Sequence, residues 1–309
     1  MTRRSETLLA LAGAALILAL AYAVPWLRFV LTIALAKGLA VLGILLLRAG
    51  QVSFGHALYL ALAAYTVAFG AVVVPEALLL LPAAALLAGI VGLLIGLFVV
   101  RYREIFFGML NLALSMVFYS VLEKFYALTH GADGIRLPPV TFLGRPLAGE
   151  AGEWTVLGMA LVLALACGAL VRVALASPLG EALAGIKTRE TRLDFMGVSP
   201  KRVLLAAYVA SAVMAGFAGA IIALTTRHVT PALSYWTTSG ELVFIAILGG
   251  AGSVLGPFLG AAAYELTRVY AAATFANAWQ LVLGLVLLAV IVFAPGGLWG
   301  MITSRRRAA

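Results

Sequence analysis

The sequence predicts an all-α polytopic membrane protein, with about eight transmembrane helices plus a glycine-broken re-entrant segment. Of its 309 residues, 64% are hydrophobic and 11% are charged, and the mean hydropathy is +1.12. Soluble domains carry about 25% charged residues, so a water-soluble fold cannot bury this much apolar surface. The composition therefore excludes a soluble enzyme, a nucleic-acid-binding protein and a disulfide-rich secreted scaffold. The single cysteine, Cys167, excludes a disulfide framework and a cysteine-based metal site.

Nine apolar runs divide the chain, and most approach the roughly 20 residues that a helix needs to cross a bilayer. The runs are 8–24, 29–47, 53–74, 77–100, 105–128, 155–176, 203–225, 241–270 and 278–294. Their continuity, without period-2 alternation, excludes a membrane β-barrel. Glycine-rich stretches open the third run and interrupt the eighth.

The basic residues predict the orientation, because cytoplasmic loops carry an excess of Lys and Arg. Nine full spans would separate Arg3 and the basic tail 305–307. If run 241–270 instead enters, breaks at its glycines and returns to the same side, both termini are cytoplasmic, with fourteen basic residues inside and five outside. We therefore expect eight full spans and one re-entrant hairpin in a single transmembrane domain, 1–309. The charged start and Ala21-Tyr22-Ala23 also resemble a cleavable signal peptide, although the apolar run is longer than usual.

The polar segment 177–202 is predicted to form a cytoplasmic helix that docks on a partner. Ser177 and Pro178 give an N-cap followed by proline at the first helical position, and Gly197 gives a C-terminal stop. An ordinary solvated loop is the alternative, but connecting loops are usually shorter than this segment. The residues that we assign to docking are Ser177, Pro178, Glu181, Gly185, Lys187, Arg189 and Gly197.

No motif predicts nucleotide hydrolysis on this chain. The stretch from Gly180 to Thr188 resembles a P-loop, but Ile186 separates its second glycine from Lys187, and no buried strand precedes it. The sequence also lacks a metal-ligand cluster and a nucleophile–base pair. We therefore expect a transporter rather than an enzyme, without a cofactor or metal. Any ATP hydrolysis would occur on another polypeptide.

The glycine-rich breaks are candidate transport elements, because unwound backbone in a membrane must be buried in protein or line a watery cavity. The alternative is close helix packing through small residues. The break glycines are Gly50, Gly55, Gly250, Gly252 and Gly256. The candidate translocation-pathway residues are Gln51, Ser53, His56, Asn111, Ser115 and Ser253. His56 could equally be a hydrogen-bonded structural histidine.

One charged residue, Lys37, falls near the middle of its run, where a free charge is costly. It either faces a cavity or reaches the interface along its own helix, and the sequence leaves both open. Carboxylates are expected to be nearly absent from span centres. That expectation counts against a self-contained ion-coupled carrier.

Several motifs, in order, resemble those of branched-chain amino acid ABC-transporter permeases of the LivM type. They occupy residues 49–57, 64–66, 107–113, 131–134, 177–180, 247–257 and 293–298. The resemblance covers about residues 30–300. It implies the permease subunit of an importer that uses alternating access to carry branched-chain and other hydrophobic amino acids.

The resemblance also implies partners in a prokaryotic plasma (inner) membrane. They are a second permease subunit of the LivH type, two cytoplasmic ATPase subunits that use the ATP, and a periplasmic or lipid-anchored solute-binding protein. The segment 177–197 would dock on the ATPase. Similar assemblies import urea, short amides or other small solutes, so these substrates remain alternatives alongside the carrier.

Overall fold

A computed structural model describes residues 3–47, 53–276 and 278–305. The long helices are α1 Arg3–Ala23, α2 Leu27–Leu46, α3 His56–Val73, α4 Ala77–Val99, α5 Glu104–Lys124, α7 Gly149–Leu175, α8 Pro178–Phe195, α9 Pro200–Thr226, α10 Trp236–Gly249, α11 Gly256–Thr274, α12 Trp279–Phe293 and α13 Gly297–Arg305. A four-residue helix, α6, covers Tyr126–Thr129. The predicted all-α fold class is confirmed.

Eight segments of the described chain are long and apolar enough to span a membrane. They comprise α1, α2, α3, α4, α5, α7, α9 and the stretch Trp279–Met301, which contains α12. The number agrees with the eight full spans that the sequence predicts. The eighth predicted run, 241–270, does not form one straight helix.

The run 241–270 is a pair of antiparallel helices, α10 and α11, joined by a glycine turn. Gly250 has a φ of +84°, a conformation that an L side chain rarely adopts. Gly249 meets the backbone of Gly256, and Gly260 meets the backbone of Ile245, which shows that the two helices run in opposite directions in close contact. The break at these glycines therefore follows the prediction, although α10 begins five residues before the run, at Trp236.

Helix α9 lies at the centre of the bundle, in contact with α2, α3 and α4. Its Gly216 faces Ala85 and Ala88 of α4, and its Gly219 meets the backbone of Leu60 in α3. In lipid, helices associate through close packing, and small residues let the backbones approach one another. The core of the protein is therefore built around the small residues of α9.

Two ion pairs show which ends of the helices share a side of the bundle. Glu6 and Arg172 lie 3.4 Å apart and join the start of α1 to the end of α7. At the opposite end of α7, Glu150 lies 2.7 Å from Arg28, at the start of α2, which follows the end of α1. This pairing agrees with spans that alternate in direction. Which side is cytoplasmic stays a prediction.

The connection between α5 and α7 contains α6, a 3-10 turn at Gly131–Asp133 and three short strands. These strands are β1 Ile135–Arg136, β2 Thr141–Phe142 and β3 Arg145–Pro146, and β4 His228–Val229 follows α9. The antiparallel pairs are β1 with β4 and β2 with β3. The connection is therefore an ordered cap on the side that the sequence predicts to be external.

Candidate translocation site and coupling segment

The first glycine-rich break ends inside the bundle, where α3 begins at the buried His56. Gly55 packs against α5 so closely that an added Cβ would lie 2.8 Å from the carbonyl oxygen of Asn111. Ser53 is also buried, and its hydroxyl oxygen lies 3.3 Å from the backbone nitrogen of Gly55, which donates to it. Two residues predicted for this break, Gly50 and Gln51, lie outside the described residues.

Buried hydrogen bonds tie the start of α3 to α9 and α5. His56 Nε2 bonds to the Ser211 hydroxyl of α9. The Tyr59 hydroxyl donates to the Tyr208 hydroxyl at 2.8 Å, and the Tyr208 hydroxyl donates to Asn111 Oδ1. Because buried polar groups are costly without partners, these bonds fix the relative positions of the three helices.

A second set of bonds brings α10 to the same place. The Ser239 hydroxyl accepts the backbone N–H of Ala57 at 3.1 Å, in the first turn of α3. The Ser115 hydroxyl donates to the backbone oxygen of Ser234, at 2.8 Å, in the 3-10 turn Pro231–Ser234 that precedes α10. The starts of α3 and α10 therefore meet within the bundle. We call this region the helix-start cluster; its members are Ser53, His56, Tyr59, Asn111, Ser115, Tyr208, Ser211, Ser234 and Ser239.

Four of the predicted pathway residues, Ser53, His56, Asn111 and Ser115, belong to the helix-start cluster. Their partners Tyr208 and Ser211 lie in α9, which was predicted as a plain span, and Ser234 and Ser239 lie outside the predicted runs. Tyr208 and Ser211 are three residues apart and thus share one face of α9, a polar pattern that could have indicated them. Ser234 and Ser239 precede the predicted start of the eighth run, so nothing in its periodicity pointed to them.

The second break has the geometry of close packing. The backbone of Gly250 meets that of Gly296 and Gly297, and an added Cβ at Gly252 would lie 3.2 Å from the Trp299 ring. The Ser253 hydroxyl accepts the backbone N–H of Leu255 at 3.3 Å, within the turn itself. Among the described residues, no hydrogen bond links Ser253 to the helix-start cluster. Gly256, at the start of α11, meets the backbone of the preceding glycines and completes this contact.

Lys37 is held by two carboxylates near the centre of the bundle. Its Nζ lies 2.8 Å from Glu241 Oε2 of α10 and 2.6 Å from Glu265 Oε1 of α11. The Arg268 guanidinium lies 3.2 Å from the other oxygen of Glu265. The expectation that carboxylates are nearly absent from span centres is therefore wrong, because the α10–α11 hairpin brings two of them to the middle of α2. Lys37 faces these partners and not the interface.

The helix predicted within segment 177–202 is present as α8, and it packs on α7 and α9 through an apolar face that includes Leu183 and Ile186. The backbone of Ser177, just before the first turn of α8, is extended, as at an N-cap position. The Ser177 hydroxyl, however, donates to the Ala174 oxygen at 2.7 Å and makes no cap bond to the helix. Pro178 occupies the first turn, as predicted. Gly197, at φ +78°, follows the helix, and Val198 N–H donates back to the Leu193 oxygen at 3.0 Å. Gly197 therefore ends the helix as expected.

A kink at Arg189 divides α8 into two parts. The second part folds back, so that an added Cβ on Gly185 would lie 3.3 Å from the Leu193 side chain. Glu190 accepts two bonds from the Arg103 guanidinium, at 2.6 and 2.9 Å, which ties α8 to the connection between α4 and α5. The side chain of Phe195, at the end of α8, is 93% exposed. Glu181, Lys187 and Arg189 are exposed too.

Comparison with known proteins identifies the family of this chain. The chain matches the family described as "Branched-chain amino acid transport system / permease component" over residues 26–291. It is 26% identical over 231 residues to the high-affinity branched-chain amino acid transport system permease protein LivM of Escherichia coli K12. The same identity and length apply to the protein of that name in Salmonella typhimurium LT2.

These alignments cover 68% of this chain and 54% of each relative, so the chain spans about half the length of the curated relatives it matches. No solved structure matches it. The family match extends over most of the chain and includes both glycine breaks, the helix-start cluster and α8. This chain is an integral membrane protein and belongs to the permease component family of branched-chain amino acid transport systems.

Proposed function

We propose that this chain is one permease subunit of an ATP-driven importer for branched-chain and other hydrophobic amino acids. It would work in the prokaryotic plasma membrane with both termini cytoplasmic. Two separate ATPase subunits would hydrolyse ATP, a LivH-type permease would complete the membrane domain, and a solute-binding protein would deliver the substrate to the external cap.

The observation that carries this proposal is the continuous contact from α8 to the helix-start cluster. Helix α8 packs on α9 through its buried face, while its exposed face is free to meet an ATPase. Further along α9, Tyr208 and Ser211 hold the start of α3. A displacement of α8 would therefore reach the break between α2 and α3 through one rigid helix.

The proposed mechanism is alternating access. ATP binding would close the two ATPases and move the α8 segments docked on them. The bundle would then rock about the discontinuous helices and open the route first towards the binding protein and later towards the cytoplasm. Glycine residues and hydroxyl side chains at the helix starts suit such a pivot. The glycines allow close contact between backbones, and the hydroxyls form hydrogen bonds with the unwound backbone.

A self-contained carrier is the second candidate, and the carboxylates Glu241 and Glu265 inside the bundle are the observation that favours it. Each of them is already paired with a cation, however, in a group of two acidic and two basic side chains. A carrier that couples to protons needs a carboxylate that can take up a proton without leaving a buried cation unpaired. The ATP-driven importer is therefore the function that we propose.

Purification of the tagged chain from native membranes tests the assembly. We expect a second permease and a P-loop ATPase to co-purify in fixed stoichiometry, with two copies of the ATPase per complex, as measured by native mass spectrometry. A chain that purifies alone and moves solute into liposomes without ATP would contradict the proposal and favour the carrier.

A further inference from the structure

A cavity lies between α2, α7 and α9, at the end of the bundle that the sequence predicts to be external. Its volume is about 180 Å³, and one water molecule in the liquid takes about 30 Å³. Its lining includes Arg28, Phe29 and Thr32 of α2, Glu153 of α7 and Arg227, directly after α9. The cavity can therefore hold a polar group of several heavy atoms. None of these residues belongs to the helix-start cluster or to α8.

Two ion pairs show where the cavity lies across a membrane. Glu153 Oε2 lies 3.6 Å from Arg28 Nη1, and Arg172, 19 residues further along α7, lies 3.4 Å from Glu6. At 1.5 Å per residue, the two positions on α7 are about 29 Å apart, close to the ~30 Å thickness of the hydrocarbon core. Ionised side chains avoid that core, so one pair lies at each of its boundaries. The cavity is therefore at the depth of lipid headgroups.

The cavity is separate from the helix-start cluster. Thr225, which also lines the cavity, follows Ser211 by 14 residues on α9. This spacing is about 21 Å along the helix. In the part of the chain that the structure describes, no hydrogen bond joins a member of the cluster to a residue that lines the cavity. A ligand in the cavity would thus lie apart from the proposed route.

The buried guanidinium of Arg28 forms one wall of the cavity and already has its partners. It lies 2.7 Å from Glu150 and donates to the Ala21 oxygen at 3.1 Å. It also lies over the Trp154 ring, 4.9 Å from the centroid. Because a buried charge needs close partners, these contacts fix Arg28 and join the end of α1 to the start of α7.

Two charged groups at the cavity are less completely paired. The side chain of Glu153 is 55% exposed, and its 3.6 Å contact with Arg28 is longer than a normal hydrogen bond. Among the described residues, the Arg227 guanidinium bonds to the Leu147 oxygen and forms no ion pair. The cavity therefore presents one open carboxylate and one open guanidinium at headgroup depth.

We propose that this cavity binds the headgroup of a phospholipid that carries a primary ammonium, the ethanolamine type. The Arg227 guanidinium donates to the phosphate oxygens, with which arginine forms paired hydrogen bonds. The Glu153 carboxylate accepts an N–H of the ammonium. Each open charge then has an opposite charge beside it. Phe29, whose side chain is 48% exposed, gives an apolar surface for the start of the acyl chains.

Other common headgroups satisfy this pair of charges less well. A glycerol headgroup brings the phosphate without a cation and leaves Glu153 beside a second negative charge. A choline headgroup brings a cation that has no N–H to donate. We therefore expect the ethanolamine lipid to bind more tightly than either of them.

Lipid titration of the delipidated complex tests the site, with binding followed by native mass spectrometry. We expect Arg227→Gln to weaken binding of the ethanolamine lipid by about tenfold or more, because charged hydrogen bonds to the phosphate are lost. Arg145→Gln is the matched control, since Arg145 is an exposed arginine of β3 on the same side, and it should leave binding unchanged. Equal affinity of Arg227→Gln and the wild type would overturn the inference.

Glu153→Gln gives a readout that a merely structural role would not move. We expect this variant to lose the preference for the ethanolamine lipid over the choline lipid, while its binding of the choline lipid stays within about twofold of the wild type. A preference that survives the substitution would contradict the assignment of the ammonium to Glu153.

Crosslinking of the wild-type complex provides a second test that needs no variant. An ethanolamine phospholipid with a photoreactive group beside its headgroup should attach to peptides that contain residues 149–156 or 224–227. Attachment only at other places would refute the site. Displacement of the lipid by an equal concentration of free phosphoethanolamine, of leucine or of the solute-binding protein would assign the cavity to a soluble ligand or a protein, and would also refute it.

Discussion

Tyr208 shows how one polar residue can connect three apolar helices. Its hydroxyl accepts a hydrogen bond from Tyr59 of α3 and donates one to Asn111 of α5, and both contacts are buried. A buried hydroxyl without a partner costs more than a satisfied one contributes, so such residues select one relative position of their helices. The hydrogen bonds of the helix-start cluster therefore fix the positions of the helices relative to one another.

The bond between Ser211 and His56 gives a prediction at this scale. Ser211→Ala leaves the buried Nε2 of His56 without its partner, and we expect a loss of about 1–3 kcal/mol in the free energy of unfolding. Reversible unfolding in detergent measures it. Ser120→Ala, on an exposed face of α5, removes a hydroxyl that bonds only to its own helix and serves as the control. Equal stability of the two variants would contradict the constraint.

Glu76, just before α4, gives a pH-dependent prediction outside the membrane. Bonds from the Thr141 hydroxyl at 2.8 Å and the Leu143 N–H at 2.6 Å hold the pKa of Glu76 below its ordinary value. The stabilisation is therefore present above the unfolded-state pKa and is lost as the pH falls through the lowered pKa. We expect Glu76→Gln to lower the thermal midpoint at neutral pH and to flatten its decline towards acid pH. A decline as steep as that of the wild type would be evidence against this role.

At the scale of elements, the α10–α11 hairpin depends on its glycine turn. Gly250→Ala places a side chain at φ +84° against the Gly296 backbone, and we expect a loss of roughly 1–3 kcal/mol in the free energy of unfolding. Gly158→Ala is the control. Gly158 lies in α7 with open space around its Cα, so alanine should be neutral or stabilising by roughly 0.5–1 kcal/mol. A tolerated Gly250→Ala would show that the turn does not need glycine.

Helix α8 is the element that should transmit ATP hydrolysis. Gly185→Trp would force apart the two parts of α8, because Leu193 already lies against Gly185. Glu181→Arg would reverse an exposed charge in the first turn of the same helix. We expect both variants to insert and assemble, while uptake per ATP hydrolysed falls several-fold. Parallel assays of phosphate release and uptake measure the ratio, and an unchanged ratio in both variants would refute the docking assignment.

For the whole molecule, most of the helical arrangement could be predicted from the sequence because lipid imposes length and continuity on each span. The runs 77–100 and 278–294 agree with α4 and α12 to within one residue at each end. The return of run 241–270 to its own side was predicted from charge balance, and the glycine turn after Gly249 agrees with it. These features depend on local composition.

The parts that could not be predicted depend on contacts between distant residues. Lys37 and Glu265 are 228 positions apart, so neither residue alone indicated that they would pair. The short strands between α5 and α7 have too few residues for a periodic pattern. The partners Tyr208 and Ser211 lie within a hydrophobic run whose average hydropathy conceals them.

Uptake by the purified complex is the most direct test of the central claim. The complex that co-purifies with the tagged chain would be reconstituted in liposomes with its binding protein, and labelled leucine would be followed with ATP and with a non-hydrolysable analogue. We predict concentrative uptake that requires ATP hydrolysis and stops in Gly185→Trp. Leucine uptake that proceeds equally without ATP, or a complex that hydrolyses ATP without moving any hydrophobic amino acid, would contradict the account.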